Sequence, residues 1–142
     1  MGETTKRARV LVVDDNRLVG AVVARLLQGH EVHVETDPTS AVEAILAGAR
    51  FDLTLCDFFM PQMRGDEVFQ LLSRAAPDMV PGFVYMTAGG HSDAERLALA
   101  AAPGGIVLKP FDPERLRELA SAAAMRRIEG PSSAAGVKSD AV

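Results

Sequence analysis

The sequence predicts an α/β fold: a doubly wound, five-stranded parallel sheet with helices on both faces. Short apolar runs alternate with longer amphipathic segments, as in repeated strand–helix units. The apolar runs are nearly continuous, which is typical of strands that helices cover on both sides. With 142 residues, of which 48% are hydrophobic, the chain has the size of about one domain with its own core.

Five apolar runs are predicted strands, and the segments between them carry helical periodicity. The first helix is expected over residues 16–28, and Gly29 supplies its stop. Another is expected over residues 66–75, with Val68, Leu71 and Leu72 facing inward. The predicted strands cover residues 9–13, 30–35, 51–56, 82–87 and 105–108.

Three further helix starts are marked by capping residues. A carboxylate before a proline suits the first turn of a helix, and a serine followed three residues later by a glutamate forms a capping box. These patterns predict helices that begin near residues 38, 93 and 113, at Asp37-Pro38, at Ser92 with Glu95, and at Asp112-Pro113.

Residues 8–128 are expected to form the folded domain, after an N-terminal extension over residues 1–7. Residues 129–142 are rich in Gly, Ser and Ala and are expected to be a flexible tail. The apolar runs are far too short to cross a bilayer, and the net charge of −4 comes from both signs in scattered positions. We therefore expect a cytoplasmic protein without membrane association or direct DNA binding. Cys56, the single cysteine, is expected to be buried and structural.

Chemically active residue types follow four of the predicted strands: Asp14-Asp15, Asp57, Thr87 and Lys109. Because ligands of such sheets bind at the carboxyl ends of the strands, we expect these side chains to share one crevice. Clustered carboxylates repel one another and favour a hard cation with oxygen ligands, such as Mg²⁺. A carboxylate can accept a phosphoryl group once a metal and a lysine neutralise the incoming oxygens.

Each of these residues alone has an ordinary explanation in a turn or on the surface, but their joint position at the strand ends favours a functional site. A phosphohydrolase of the haloacid dehalogenase type would need an acid two residues after Asp14, where Asn16 stands. Nucleotide binding would need a glycine-rich phosphate loop after the first strand, and none is found there. His91 lies in a loop near the predicted site, where a solvated side chain is the ordinary expectation.

Residues 10–15, 57–65, 87–88 and 109–111 together resemble the receiver domain of bacterial response regulators and hybrid histidine kinases. The respective sequences are VLVVDD, DFFMPQMRG, TA and KPF. The resemblance spans about residues 8–128 and implies a flavodoxin-like sheet with strand order 2-1-3-4-5. It also implies a phosphoacceptor of two-component signalling, not an enzyme that acts on other substrates. Such a domain supports its own phosphorylation and dephosphorylation, and kinase activity would accompany it only within a hybrid kinase.

The resemblance assigns a role to each site residue. Asp57 would receive the phosphoryl group from a histidine kinase or phosphotransfer protein, and Thr87 and Lys109 would contact that group. The Mg²⁺ ligands would be Asp14, Asp15, Asp57 and the backbone carbonyl of Phe59.

Two further features follow from the same family. The Lys109–Pro110 peptide bond would be cis. The face formed by the fourth helix, fifth strand and fifth helix would contact a downstream protein target.

The sequence departs from the family at three modulating positions. Ile106 stands where an aromatic switch residue is common, and Phe59 and Gly89 flank the phosphoryl site in place of residues that align water. We expect Phe59 to shield the acyl phosphate and prolong its lifetime.

The alternative function is a pseudo-receiver scaffold that is not phosphorylated. A free single-domain regulator and the receiver of a hybrid kinase both fit the sequence.

Overall fold

The computed structural model describes residues 7–141, with side chains described for residues 7–127. Five parallel strands form one sheet in the order β2-β1-β3-β4-β5. This confirms the predicted fold class and strand order. The strands are β1 Arg9–Val13, β2 Glu31–Glu35, β3 Leu53–Asp57, β4 Phe83–Thr87 and β5 Ile106–Leu108.

Five α-helices connect and follow the strands. Their predicted starts are confirmed to within a residue or two, and the caps act as expected: the Asp37 carboxylate accepts from Thr39 N–H at 2.9 Å. A short 3₁₀ helix, Pro77–Gly82, precedes β4 and was not predicted. The helices are α1 Arg17–Leu26, α2 Pro38–Leu46, α3 Gly65–Ala75, α4 Asp93–Ala100 and α5 Pro113–Ala141.

The sheet separates two apolar cores, because successive side chains of a strand point to opposite faces. In β1, Val10 and Val12 pack with α1 and α5, whereas Leu11 and Val13 pack with α2, α3 and α4. Cys56 belongs to the core that contains α2, α3 and α4, and it is fully buried, as predicted. Both faces of the central strands are therefore apolar, which explains the nearly continuous runs in the sequence.

The predicted inward face of α3 is wrong at one position. Val68 and Leu72 are buried, but Leu71 is 37% exposed. The side chains that face a core recur every three or four residues along a helix, so Leu72 and its neighbour Leu71 cannot both point at the sheet. In α1, Leu18 and Val22 are likewise exposed, while Val23 is buried.

The predicted ends of the domain stay predictions. Most of the 1–7 extension and Val142 lie outside the described residues. Helix α5 continues to Ala141, so its backbone includes most of the range expected as a tail. No helix within the described part of the chain is sufficiently long and apolar to span a membrane.

Candidate functional site

The predicted site residues lie together at the carboxyl edge of the sheet. Asp14 directly follows β1, and its N–H donates to the Glu35 carbonyl at 3.1 Å, which continues the pairing of β1 with β2. Asp57 and Thr87 are the last residues of β3 and β4. Lys109 follows β5, and its N–H donates to the Thr87 carbonyl at 2.9 Å. The parallel register therefore brings four distant segments to one edge.

Lys109 joins the two buried carboxylates of the site. Its Nζ atom donates to Asp14 Oδ2 at 2.8 Å and to Asp57 Oδ1 at 3.2 Å. Asp14 is 1% exposed and Asp57 is 7% exposed, so both ion pairs are largely shielded from water. Charge-assisted hydrogen bonds of this kind fix the carboxylates in position.

Burial lowers the pKa of the Lys109 ammonium, whereas its two carboxylate partners raise it. The hydrogen bond to Asp14 and the charge of Asp57 outweigh desolvation, and the pKa of the ammonium ends above its ordinary value. Lys109 therefore keeps its positive charge at neutral pH.

A third carboxylate completes an acidic cluster. Oxygen atoms of Asp14, Asp15 and Asp57 all lie within 4.8 Å of one another, and Asp15 is exposed. Burial, followed by the charge of Asp14, raises the pKa of Asp57 to about 6, although Lys109 opposes the shift. Three carboxylates lie beside a single ammonium, so the ionised cluster carries more negative charge than Lys109 balances. Three oxygen donors with excess negative charge fit a hard divalent cation such as Mg²⁺.

Gly65 allows the loop after Asp57 to fold back on the site. A Cβ atom at this position would lie 2.6 Å from the Asp57 carbonyl oxygen and 2.9 Å from the Phe58 Cα atom. The Gly65 N–H instead donates to the Phe58 carbonyl at 2.8 Å. Only a residue without a side chain fits this contact at the first residue of α3.

The Thr87 hydroxyl is bound by the loop between β4 and α4. Its Oγ1 atom lies 2.6 Å from Nε2 of His91 and accepts from Gly89 N–H at 3.0 Å. The solvated position expected for His91 is wrong, because the side chain is only 8% exposed. Gly89, Gly90 and a single histidine show no periodicity, so no pattern in the sequence pointed to this contact.

Three predicted features remain: Phe59, Ile106 and the Lys109–Pro110 peptide bond. Phe59 follows the strand end and is 44% exposed, with its ring stacked on His91 at a centroid distance of 5.3 Å. Its assignment as a metal ligand through the carbonyl stays a prediction. Ile106 is 37% exposed in β5. The Lys109–Pro110 peptide bond is cis, the isomer that the resemblance implies.

Comparison with curated proteins finds relatives that are named as response regulators. The chain is 30% identical over 125 residues to the response regulator protein FleR of Pseudomonas aeruginosa, covering 87% of this chain and 26% of FleR. It is 33% identical over 114 residues to the DNA-binding response regulator MtrA of Mycobacterium bovis, covering 79% of this chain and 48% of MtrA. The chain thus spans from about a quarter to half the length of these two relatives.

Comparison with solved structures gives the same fold. The chemotaxis response regulator CheY4 of Vibrio cholerae superposes with a TM-score of 0.68 at 30% identity, covering 82% of this chain and 98% of CheY4. The Francisella response regulator 1452 receiver domain superposes with a TM-score of 0.70 at 18% identity, covering 85% of this chain and 99% of that domain. The family model described as the response regulator receiver domain matches residues 10–121. With this match, this fold and an acidic cluster at the expected strand ends, the chain belongs to the response regulator receiver domain family.

Proposed function

We propose that this chain is a phosphoacceptor receiver whose Asp57 takes a phosphoryl group from a phosphohistidine of a histidine kinase or phosphotransfer protein. The observation that carries the proposal is the position of Asp57. Its carboxylate lies in a cluster of three acids and 3.2 Å from the Lys109 ammonium. That arrangement places a nucleophilic oxygen beside groups that can neutralise phosphoryl oxygens.

The proposed transfer forms one bond and breaks another. A carboxylate oxygen of Asp57 attacks the phosphorus, and the phosphorus–nitrogen bond to the donor imidazole breaks. The electron pair of that bond stays on the imidazole nitrogen, which then takes up a proton. Dephosphorylation is a separate step in which water attacks the phosphorus and the bond between the phosphorus and the Asp57 oxygen breaks. The water oxygen and its protons leave as inorganic phosphate, and the Asp57 carboxylate is restored.

Each site residue has a part in this reaction. Asp14 and Asp15 supply the carboxylates that would hold Mg²⁺ together with Asp57 and the Phe59 carbonyl. The bound cation would neutralise phosphoryl oxygens. Lys109 orients the acceptor carboxylate before transfer and pairs with the phosphoryl group after it.

We further propose that the signal leaves through the face formed by α4, β5 and α5. Three apolar side chains are exposed there: Leu97 by 75%, Leu108 by 63% and Ile106 by 37%. Exposed apolar side chains grouped on one face favour contact with a protein partner.

The proposed location is the cytoplasm, which suits a single buried cysteine and a kinase partner.

Direct DNA binding by this chain alone is not part of the proposal. MtrA is named a DNA-binding response regulator, but the match covers 48% of that protein. The net charge of −4 gives the chain no general attraction for a phosphate backbone.

The experiment is labelling by acetyl phosphate with Mg²⁺, followed by intact mass measurement. We expect the gain of one phosphoryl group in the unaltered protein, none in Asp57→Ala and none in EDTA. Asp78→Ala is the matched control, because Asp78 lies outside the cluster in a surface ion pair with Arg50. An unlabelled wild type would favour the alternative, a pseudo-receiver scaffold, and undiminished labelling of Asp57→Ala would place the acceptor elsewhere.

A further inference from the structure

The side chain of His91 is buried against Thr87 and has no part in the reaction proposed above. Its ring stacks on Phe59 with an interplanar angle of 18° and meets Phe58 edge-on at a centroid distance of 5.6 Å. With Nε2 also 2.6 Å from Thr87 Oγ1, the imidazole is held on three sides. A histidine that is 8% exposed and packed in this way has a defined orientation.

The surroundings of the imidazole indicate which group donates in the contact between Thr87 and His91. Nδ1 of His91 faces the Glu95 carboxylate, whose Oε1 lies 4.0 Å away, and it has no hydrogen-bond partner among the described residues. A facing carboxylate favours the proton on Nδ1, which leaves Nε2 of the neutral ring as an acceptor. Thr87 then donates its hydroxyl proton to His91, while its oxygen accepts from Gly89 N–H.

We propose that His91 is a latch that holds the Thr87 hydroxyl in the resting state and must be released when Asp57 is phosphorylated. This inference rests on the proposed function. A threonine hydroxyl has one proton, so it can donate either to Nε2 of His91 or to a phosphoryl oxygen, but not to both. Phosphorylation therefore exchanges one acceptor for the other, and His91 acts as a positioning residue through Thr87.

The latch also connects the site to α4. Ser92, the next residue, is the N-cap of this helix: its Oγ atom accepts from Glu95 N–H at 3.2 Å, and its own N–H donates to Glu95 Oε1 at 2.8 Å. Loss of the hydrogen bond between Thr87 and His91 therefore frees the residue that precedes the cap. This gives the chain a connection from Thr87 to its partner-facing surface that does not need an aromatic residue at Ile106.

The test measures the affinity for beryllofluoride, a phosphoryl mimic, at fixed Mg²⁺ and fixed pH. His91→Phe keeps an aromatic ring beside Phe59 and removes the acceptor nitrogen. We expect about two- to tenfold tighter beryllofluoride binding, the range for one neutral hydrogen bond that no longer has to be broken. In a Thr87→Val background the same change should have no effect, because no hydroxyl remains to be held. His33→Phe, on β2, is the matched control and should bind like the wild type.

A second measurement uses the unaltered protein and so does not depend on the folding of a variant. In ¹⁵N spectra of the histidine rings, the Nε2 resonance of His91 should shift when beryllofluoride and Mg²⁺ are added, while that of His33 stays in place. An unshifted Nε2 resonance, or an equal effect of His91→Phe with and without the Thr87 hydroxyl, would overturn the latch while leaving phosphorylation of Asp57 intact. Absence of any beryllofluoride binding by the wild type would overturn the latch and the proposed function together.

Discussion

Nζ of Lys109 lies 2.8 Å from Oδ2 of Asp14, although 95 residues separate the two in the sequence. The same ammonium reaches Asp57 at 3.2 Å. One cation thus spans two buried anions, and the third acid, Asp15, is exposed beside them. The charges of this cluster determine how the protein should respond to substitution, pH and metal.

Lys109→Met should slow labelling by acetyl phosphate by about two orders of magnitude, the usual loss when one donor that stabilises developing charge is removed. Binding of Mg²⁺ should persist, because all three carboxylates remain. Labelling rates and Mg²⁺ titration measure the two effects separately. Arg74→Met, at an exposed position of α3, is the control and should leave both unchanged. Labelling at the wild-type rate in Lys109→Met would contradict the assigned role.

Asp57→Asn should stabilise the metal-free protein at neutral pH. Burial and the charge of Asp14 raise the pKa of Asp57 from 3.8 to about 6, so the folded state binds this proton more tightly than the unfolded chain. The protonated Asp57 carboxyl makes a stabilising contribution that is present in full below the unfolded pKa of 3.8 and is lost as the pH rises through about 6. The free energy of unfolding of Asp57→Asn should therefore exceed that of the wild type by an amount that grows as the pH rises from 3.8 through about 6.

Urea unfolding in EDTA across a series of pH values measures this difference. Asp78→Asn, an exposed site outside the cluster, should show no growing advantage. A difference in unfolding free energy between Asp57→Asn and wild type that stays constant with pH would contradict the electrostatic explanation.

Added Mg²⁺ should raise the melting temperature of the wild type more than that of Asp57→Asn, because a ligand of the folded state stabilises it by mass action.

Phe59→Asn should shorten the lifetime of the phosphorylated protein. Phe59 is 44% exposed, and its ring is stacked on His91. There the ring would cover one side of the acyl phosphate, whereas an amide would admit and orient water. The decay of the phosphorylated form by intact mass gives the lifetime. Leu46→Asn, at an exposed apolar position at the end of α2, serves as the control. An equal or longer lifetime in Phe59→Asn would reject the shielding role.

Gly65→Ala should lower the free energy of unfolding by about 1–3 kcal/mol, the usual cost of forcing extra atoms into a packed site. The added methyl group would contact the backbone of Asp57 and Phe58, which cannot move aside as a flexible side chain could. Urea unfolding measures the loss, and Gln70→Ala, exposed on the same helix, should be close to neutral. Wild-type stability in Gly65→Ala would show that the loop after β3 can relax.

Much of the fold and of the cluster could be predicted because it depends on local patterns and on one topological rule. Apolar runs located the strands, and the rule that parallel strands present their carboxyl ends at one edge brought Asp14, Asp57 and Lys109 together. No knowledge of side-chain orientation was needed for that step. The residue types at the strand ends then indicated the chemistry.

The misplaced residues are those whose surroundings depend on tertiary packing. Leu71 is apolar and adjacent to an inward-facing residue, yet only the orientation of α3 against the sheet decides that it is exposed. His91 was expected in solvent, but the turn through Gly89 and Gly90, which have φ values of 98° and 76°, returns the chain towards Thr87. No local periodicity encodes such a turn.

The long sequence separation between Asp14 and Lys109 has a practical meaning. The proposed phosphorylation of Asp57 would require chain segments from near both ends of the domain, so neither half of the polypeptide should be labelled by itself. Labelling by acetyl phosphate should therefore also report on the tertiary structure. A misassembled or partly denatured sample should lose labelling before its spectrum changes.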